Sequence, residues 1–242
     1  MNIYSNSFFQ RVDNWEILKL ILQEGFKAFY CKEEIYRGKG VPSTYIGIPM
    51  ISFCDIPLAY VAQNNYGKCG MAMSRFWGRA KHLEPVLYYP MDIRCQSTKM
   101  IIKAADSFLN NRRDADSYRI LGYAKPVIKP TKKEGYSSDN YAEREWRKVY
   151  ANPTPLRWLT EQEYDEYRGD NANPKTPVGT ILSFVAKNID FIMVDKEHER
   201  DLQHFIMDDL QTLGNINHEI TRDDKLALLS RILVYENLVH NL

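Results

Sequence analysis

The sequence predicts an α+β fold: a mixed or antiparallel sheet system with flanking helices and a helical C-terminus. Three observations lead there. Compact apolar runs such as IPMISFC (48–54), TILSFV and FIMVD have the length of buried strands. Other stretches repeat apolar residues at helical spacing. The two kinds of segment follow each other without a regular strand–helix alternation, which argues against a doubly wound parallel sheet.

Taken in order, the first helix is set by Asn14 as N-cap, by Trp15, Leu18, Ile21 and Leu22 on one face, and by Gly25 as C-cap. The segment 26–47 reads as a short strand and an exposed loop, and Ile48–Cys54 as a buried strand that DIPL ends. Residues 58–66 suit a short helix stopped by Gly67; CGMAMSRFWG and EPVLYYPMDI suit two strands. STKMIIKAADSFLNN is a helix capped by Ser97 or Thr98, with Met100, Ile101, Ala104 and Phe108 on one face. Tyr118 to Ile128 has extended character. KPTKKEGYSSDN is a loop, with Pro, Gly, Ser, Asp and three lysines in twelve residues. It leads into a strand over Tyr141–Val149. A short acidic helix between loops, the strands TILSFV and FIMVD, and two helices over 196–213 and 223–239 complete the chain. No internal repeat interrupts it, and residues 1–242 read as a single domain with a C-terminal helical extension.

Bulk properties narrow the function. A chain of 242 residues with 44% hydrophobic and 26% charged residues buries a substantial core. A net charge of +1 excludes a generally basic nucleic-acid binder, so any such contact needs a local patch. Cys31, Cys54, Cys69 and Cys95 show no CxxC spacing and read as free thiols of a reducing compartment. With neither a signal peptide nor an apolar run of membrane length, the expected location is the cytoplasm.

Histidine offers no metal site: His198 and His204 fall on different faces of a helix, and His82, His218 and His240 lack partners at ligand spacing. RGKG (37–40) reads as a basic loop sooner than as a phosphate cradle. The pair Glu143-x-Glu145 is more informative. On a strand both side chains share one face with Arg147 beyond them, and two carboxylates so close need compensation. Such a pair is either a solvated sheet edge or part of a site.

The blocks SNSFFQRVDNWEILKLILQEGF, IPMISFCDIPL and YAEREWRKV resemble in outline the cleft strands of DarT-type ADP-ribosyltransferases. A closer resemblance is to the AbiGi family of abortive phage resistance proteins. It rests on ILQEGFKAFYCKEE, PMISFCDIPLAY, YGKCGMAMSRFWG with LEPVLYY, and EREWRKV, which fall in family order within about the first 150 residues. This second resemblance implies a phage-defence setting on the antitoxin side of a toxin–antitoxin pair, with a cognate toxin or antitoxin protein as partner.

The first resemblance implies a sheet system of ADP-ribosyltransferase type and NAD as substrate, with ADP-ribose passed to nucleic acid or protein. Breaking the nicotinamide–ribose bond develops positive charge on the sugar, which a carboxylate stabilises. Glu145 would then act at the ribose and Glu143 at the acceptor, with Arg147 balancing their charge and contacting substrate. Ser52, Phe53 and Tyr141 would line the nicotinamide pocket. Gln10 or Arg11 would grip the ribose, because Phe8-Phe9-Gln10 stands where that family carries a His between aromatics. Lys132, Lys133 and Tyr136 of the preceding loop would meet the acceptor, a phosphate backbone included. The other functional class is a non-catalytic antitoxin that neutralises a toxin by binding it. In the enzyme reading Asp55 would stand at the mouth of the nicotinamide pocket; in the plainer reading it caps the next helix before Pro57, and Cys54 is a small core residue.

Overall fold

The computed structural model describes residues 7–38, 40–61, 67–110, 115–130, 137–150, 158–168, 181–217 and 219–240. The chain is α+β, and its strands pair both parallel and antiparallel. It divides into two units, one of residues 1–27, 52–83 and 181–242, the other of residues 28–51 and 84–180.

In the first unit the strand Ser7–Val12 pairs antiparallel with Cys69–Ser74 along its whole length. Cys69–Ser74 pairs on its other side with Ile189–Val194, and that strand runs parallel to Ile232–Val234. Phe9 lies opposite Cys54, at the end of the strand Thr44–Cys54. The helix Trp15–Glu24 is bounded as its sequence dictates. The Asn14 side chain accepts from the Ile17 N–H, Gly25 takes φ 76° as its N–H reaches the Ile21 carbonyl, and Trp15, Leu18 and Leu22 are buried. Rings fill the core: Phe26 meets Phe53, Trp77 and Phe184 at centroid distances of 5.0, 5.6 and 5.3 Å.

In the second unit Phe29–Ile35 pairs antiparallel with Thr44–Met50 through seven residue pairs. Leu159–Thr160 pairs with Gly47 and Ile46, and Tyr150 donates its N–H to the Pro49 carbonyl. The strand Glu145–Val149 then pairs with Glu84–Pro85. The helices Gln96–Asn110 and Ala115–Gly122 close the core, where Ile46, Ile48, Tyr89, Phe108 and Trp158 pack together.

Several expected elements differ. SRFWG does not extend its strand: the Ser74 hydroxyl accepts from the Trp77 N–H and starts the helix Arg75–Ala80. Residues 118–122 are helical, and extended structure begins at Ala124. Residues 196–213 hold a short helix, Glu199–His204, that passes into a π-helical turn over Phe205–Asp209; in the second of the two C-terminal helices, Ile232–Val234, with β-branched residues at both ends, leaves the helix to join the sheet. In the helix Gln96–Asn110 the buried stripe is Ile101, Ala104, Ala105 and Phe108, while Met100 is exposed and Thr98 lies inside the helix, its hydroxyl on the Pro90 carbonyl. The last difference, in the Glu-x-Glu segment, shapes the candidate site.

Candidate functional site

Tyr141–Val149 is not one strand. Asn140–Glu143 forms a 3-10 turn, Arg144 takes φ 46°, and the strand begins at Glu145. Asn140 fixes this approach by donating its side-chain amide to the Pro126 carbonyl at 2.9 Å and its N–H to the Val127 carbonyl at 2.9 Å. From Glu145 onward the strand alternates as expected, so Glu145, Arg147 and Val149 face inward.

The turn nevertheless returns the Glu143 carboxylate to its partner. Lys125 Nζ donates to Glu143 Oε2 at 2.8 Å and to Glu145 Oε2 at 3.0 Å. Arg147 clasps Glu145 with two bonds, Nε to Oε1 at 2.7 Å and Nη2 to Oε2 at 2.9 Å. Its Nη1 donates to the Gly122 carbonyl at 3.1 Å, and Nη2 lies 3.1 Å from Glu33 Oε1. The Tyr88 hydroxyl accepts from the Glu145 N–H at 2.8 Å, and the Tyr88 ring stands edge-on to the exposed Tyr141 ring, 5.2 Å between centroids.

These groups tune one another. Burial opposes the charge on Lys125, but Glu145, Glu33 and Glu143 outweigh it and raise its pKa above the ordinary lysine value. Burial opposes the Arg147 charge too, and Glu33 and Glu145 reverse the effect, so both cations stay protonated. Burial pushes the Tyr88 hydroxyl up to about 12, and burial followed by Glu33 pushes the Cys31 thiol up to about 12.

The remaining expected site residues fall in separate places. Gln10 and Arg11 lie in the strand Ser7–Val12 of the first unit, where the Gln10 side-chain oxygen is buried with no hydrogen-bond partner among the described residues. Arg11 donates to the Gly67 carbonyl and has its guanidinium 6.0 Å from the Tyr235 ring. Ser52 is half-buried, and the Phe53 ring is a core member against Phe26 and Trp77. Lys132, Lys133 and Tyr136 lie outside the described residues. Arg147 is fully buried, with its guanidinium turned to Glu145, Glu33 and Gly122.

Sequence reasoning missed Lys125, Glu33, Tyr88 and Asn140. None of the four carried a local signal: even Glu33 sits between two other charged residues, Lys32 and Glu34, in the strand FYCKEEI. Among the described residues no group of three or more His, Cys, Asp or Glu is placed to hold a metal ion. An open groove of about 860 Å³ in the second unit is lined by Thr44, Tyr45, Leu109 and the acidic helix Glu161–Arg168, and no member of the charged cluster lines it. Among the described residues no helix is long and apolar enough to cross a membrane.

A family model described as "Putative abortive phage resistance protein AbiGi, antitoxin" matches residues 16–195, a span that contains the whole charged cluster. No curated protein and no solved structure matches the chain.

Proposed function

This chain belongs to the AbiGi family, and we propose that it is the antitoxin of a phage-defence pair, acting by binding a toxin partner rather than by turning over a substrate. The observation that carries the binding reading is the state of Glu145. A carboxylate that stabilises a sugar cation must present an oxygen to the developing charge. Both oxygens of Glu145 accept from the chain's own cations, Arg147 and Lys125. A ribose cation would compete with two permanent charges already at hydrogen-bond distance. The cluster acts instead as an internal clamp: it holds the 3-10 turn and the strand Glu145–Val149 in one arrangement.

Transfer of ADP-ribose from NAD to nucleic acid or protein is the second reading, and one observation favours it. The exposed Tyr141 ring stands against Tyr88, whose hydroxyl touches the Glu145 backbone, so aromatic surface lies beside carboxylates. In that reading Glu145 serves the ribose, Glu143 the acceptor and Tyr141 the nicotinamide.

Two measurements on the purified full chain separate the readings: complex formation with its cognate toxin, and label transfer from NAD to total nucleic acid or protein. The expected outcome is a stable, neutralising complex with no transferred label. Transfer by the wild type that Glu145→Gln abolishes, with thermal stability unchanged, would overturn the binding reading.

A further inference from the structure

The segment Tyr141–Val149 carries two instructions that disagree. Its sequence alternates as a strand throughout, yet the ladder stops at Glu145. The pairs Trp146 with Pro85 and Arg147 with Glu84 set an antiparallel register. Continued, that register places Glu145 opposite Val86, Arg144 opposite Leu87 and Glu143 opposite Tyr88. Val86 does donate its N–H to the Glu145 carbonyl, at 2.9 Å. In an antiparallel ladder such a pair exchanges two bonds. Here the second is diverted: the Glu145 N–H goes to the Tyr88 hydroxyl at 2.8 Å.

The path the strand leaves unused is open. Leu87–Tyr89 pairs with Ala124–Pro126 on one side, and no other described strand pairs with it. The path taken is strained. Arg144 has φ 46°, a left-handed conformation that is costly for a residue with a Cβ. His82 and Asn215, the other non-glycine residues with positive φ among those described, are of types enriched in that region. At the near end Asn140 stays tied to the Pro126 and Val127 carbonyls, and at the far end Glu145 stays in its strand, so only residues 141–144 have to move.

We propose that residues 141–144 are a two-position switch latched by Tyr88. With the hydroxyl on the Glu145 N–H, the segment is a turn that presents the Tyr141 ring, 56% exposed, against Tyr88. With the hydroxyl withdrawn, the Glu145 N–H turns to the Val86 carbonyl, Arg144 takes an extended φ, and the strand grows by two residues along Leu87–Tyr89. Tyr141 then leaves Tyr88. Glu145 and Arg147 keep their places in both positions, so the buried ions survive the change. Any contact made through the Tyr141 ring is thereby coupled to the latch.

Backbone NMR of the full chain distinguishes the two positions, because Cα and Cβ shifts over 141–144 are turn-like in one and extended in the other. Three variants bias the switch. Tyr88→Phe keeps the ring and removes the oxygen. Arg144→Val and Arg144→Gly both remove the guanidinium, but valine resists positive φ and glycine accepts it, so their difference reads the backbone alone. The expected result is turn shifts in wild type and Arg144→Gly, and extended shifts in Tyr88→Phe and Arg144→Val. The turn-to-strand ratio should be on the order of 10-fold lower in Arg144→Val than in Arg144→Gly. Turn shifts in Tyr88→Phe would overturn the latch, and turn shifts in Arg144→Val the second position itself. Random-coil shifts over 141–144, with the strand Glu145–Val149 intact, would overturn both, since release would then mean disorder. Should Tyr88→Phe fail to fold, the pair of Arg144 variants decides.

Discussion

In the first unit part of the interior is filled by Phe26, Phe53, Trp77 and Phe184, rings in contact from several directions. Under the strand Glu145–Val149 of the second, the interior beside Val149 is filled by ions: Arg147 with Glu145 and Glu33, and Lys125 with Glu145 and Glu143. Ring packing stabilises roughly in proportion to the area removed from water and tolerates changes that conserve volume. Buried ions gain little net stability, because desolvation offsets their attraction, yet each is expensive to leave alone. The contrast separates two jobs. The first interior supports a fold; the second fixes particular side chains in one geometry.

The sharpest way to break this contrast is to remove one member from each interior. Arg147→Met leaves buried Glu145 and half-buried Glu33 without their shared partner and should cost about 3–5 kcal/mol. Phe53→Ala should cost a similar amount, about 3–5 kcal/mol, through the cavity it opens. The two losses should differ in how they are repaired. Adding Glu33→Leu and Glu145→Leu to Arg147→Met should recover most of the stability, because no unpaired charge then remains. Denaturant unfolding of the single and triple variants checks this. A triple variant less stable than Arg147→Met would mean the ions stabilise on their own account, and the contrast with the aromatic interior would be lost.

A smaller effect probes how the cluster is assembled. Asn140→Ala removes the amide that holds the 3-10 turn against the Pro126 carbonyl and should cost about 1–2 kcal/mol. Its more specific consequence is local: amide exchange should rise over residues 140–144 while the strand Glu145–Val149 stays protected. Uniform exchange along both segments would show that the turn is held by something else.

How much of this was legible beforehand follows from the range of each interaction. The helix Trp15–Glu24 was readable from its caps, and Ile48–Cys54 from its apolar run, because both signals are local. The break at Arg144 was not: YAEREWRKV alternates cleanly, and only the hydrogen bonds from Asn140 to a distant strand pull the first residues into a turn. Likewise, Glu143 and Glu145 were expected side by side on one strand face. They do meet, but at Lys125, eighteen and twenty residues away, which alternation cannot see. Arg147 as the balancing charge was within reach of the sequence, being two residues from Glu145 on the same face. Glu33 and Tyr88 became visible only when strand pairing brought them in.

The smallest expected effect lies beside the cluster, in Cys31. Burial, and after it the Glu33 carboxylate, pushes this thiol up to about 12. An unfolded cysteine ionises near ~8.5. Between those values the folded chain keeps a proton that the unfolded chain has lost, so stability falls as pH rises. Below the unfolded value both states are protonated, and Cys31 adds no pH dependence. The expectation is a wild-type stability that drops by about 1 kcal/mol more than that of Cys31→Ala between pH 7.5 and 9.5. Comparing wild type with this variant isolates the thiol, because Tyr88 and Tyr89 are also pushed up by burial and titrate alike in both proteins. Aromatic-core residues carry no proton to lose, so Phe53→Ala should follow the wild-type slope. If wild type and Cys31→Ala lose stability in parallel, the thiol ionises as freely folded as unfolded. The cluster's surroundings would then be far wetter than its packed side chains imply.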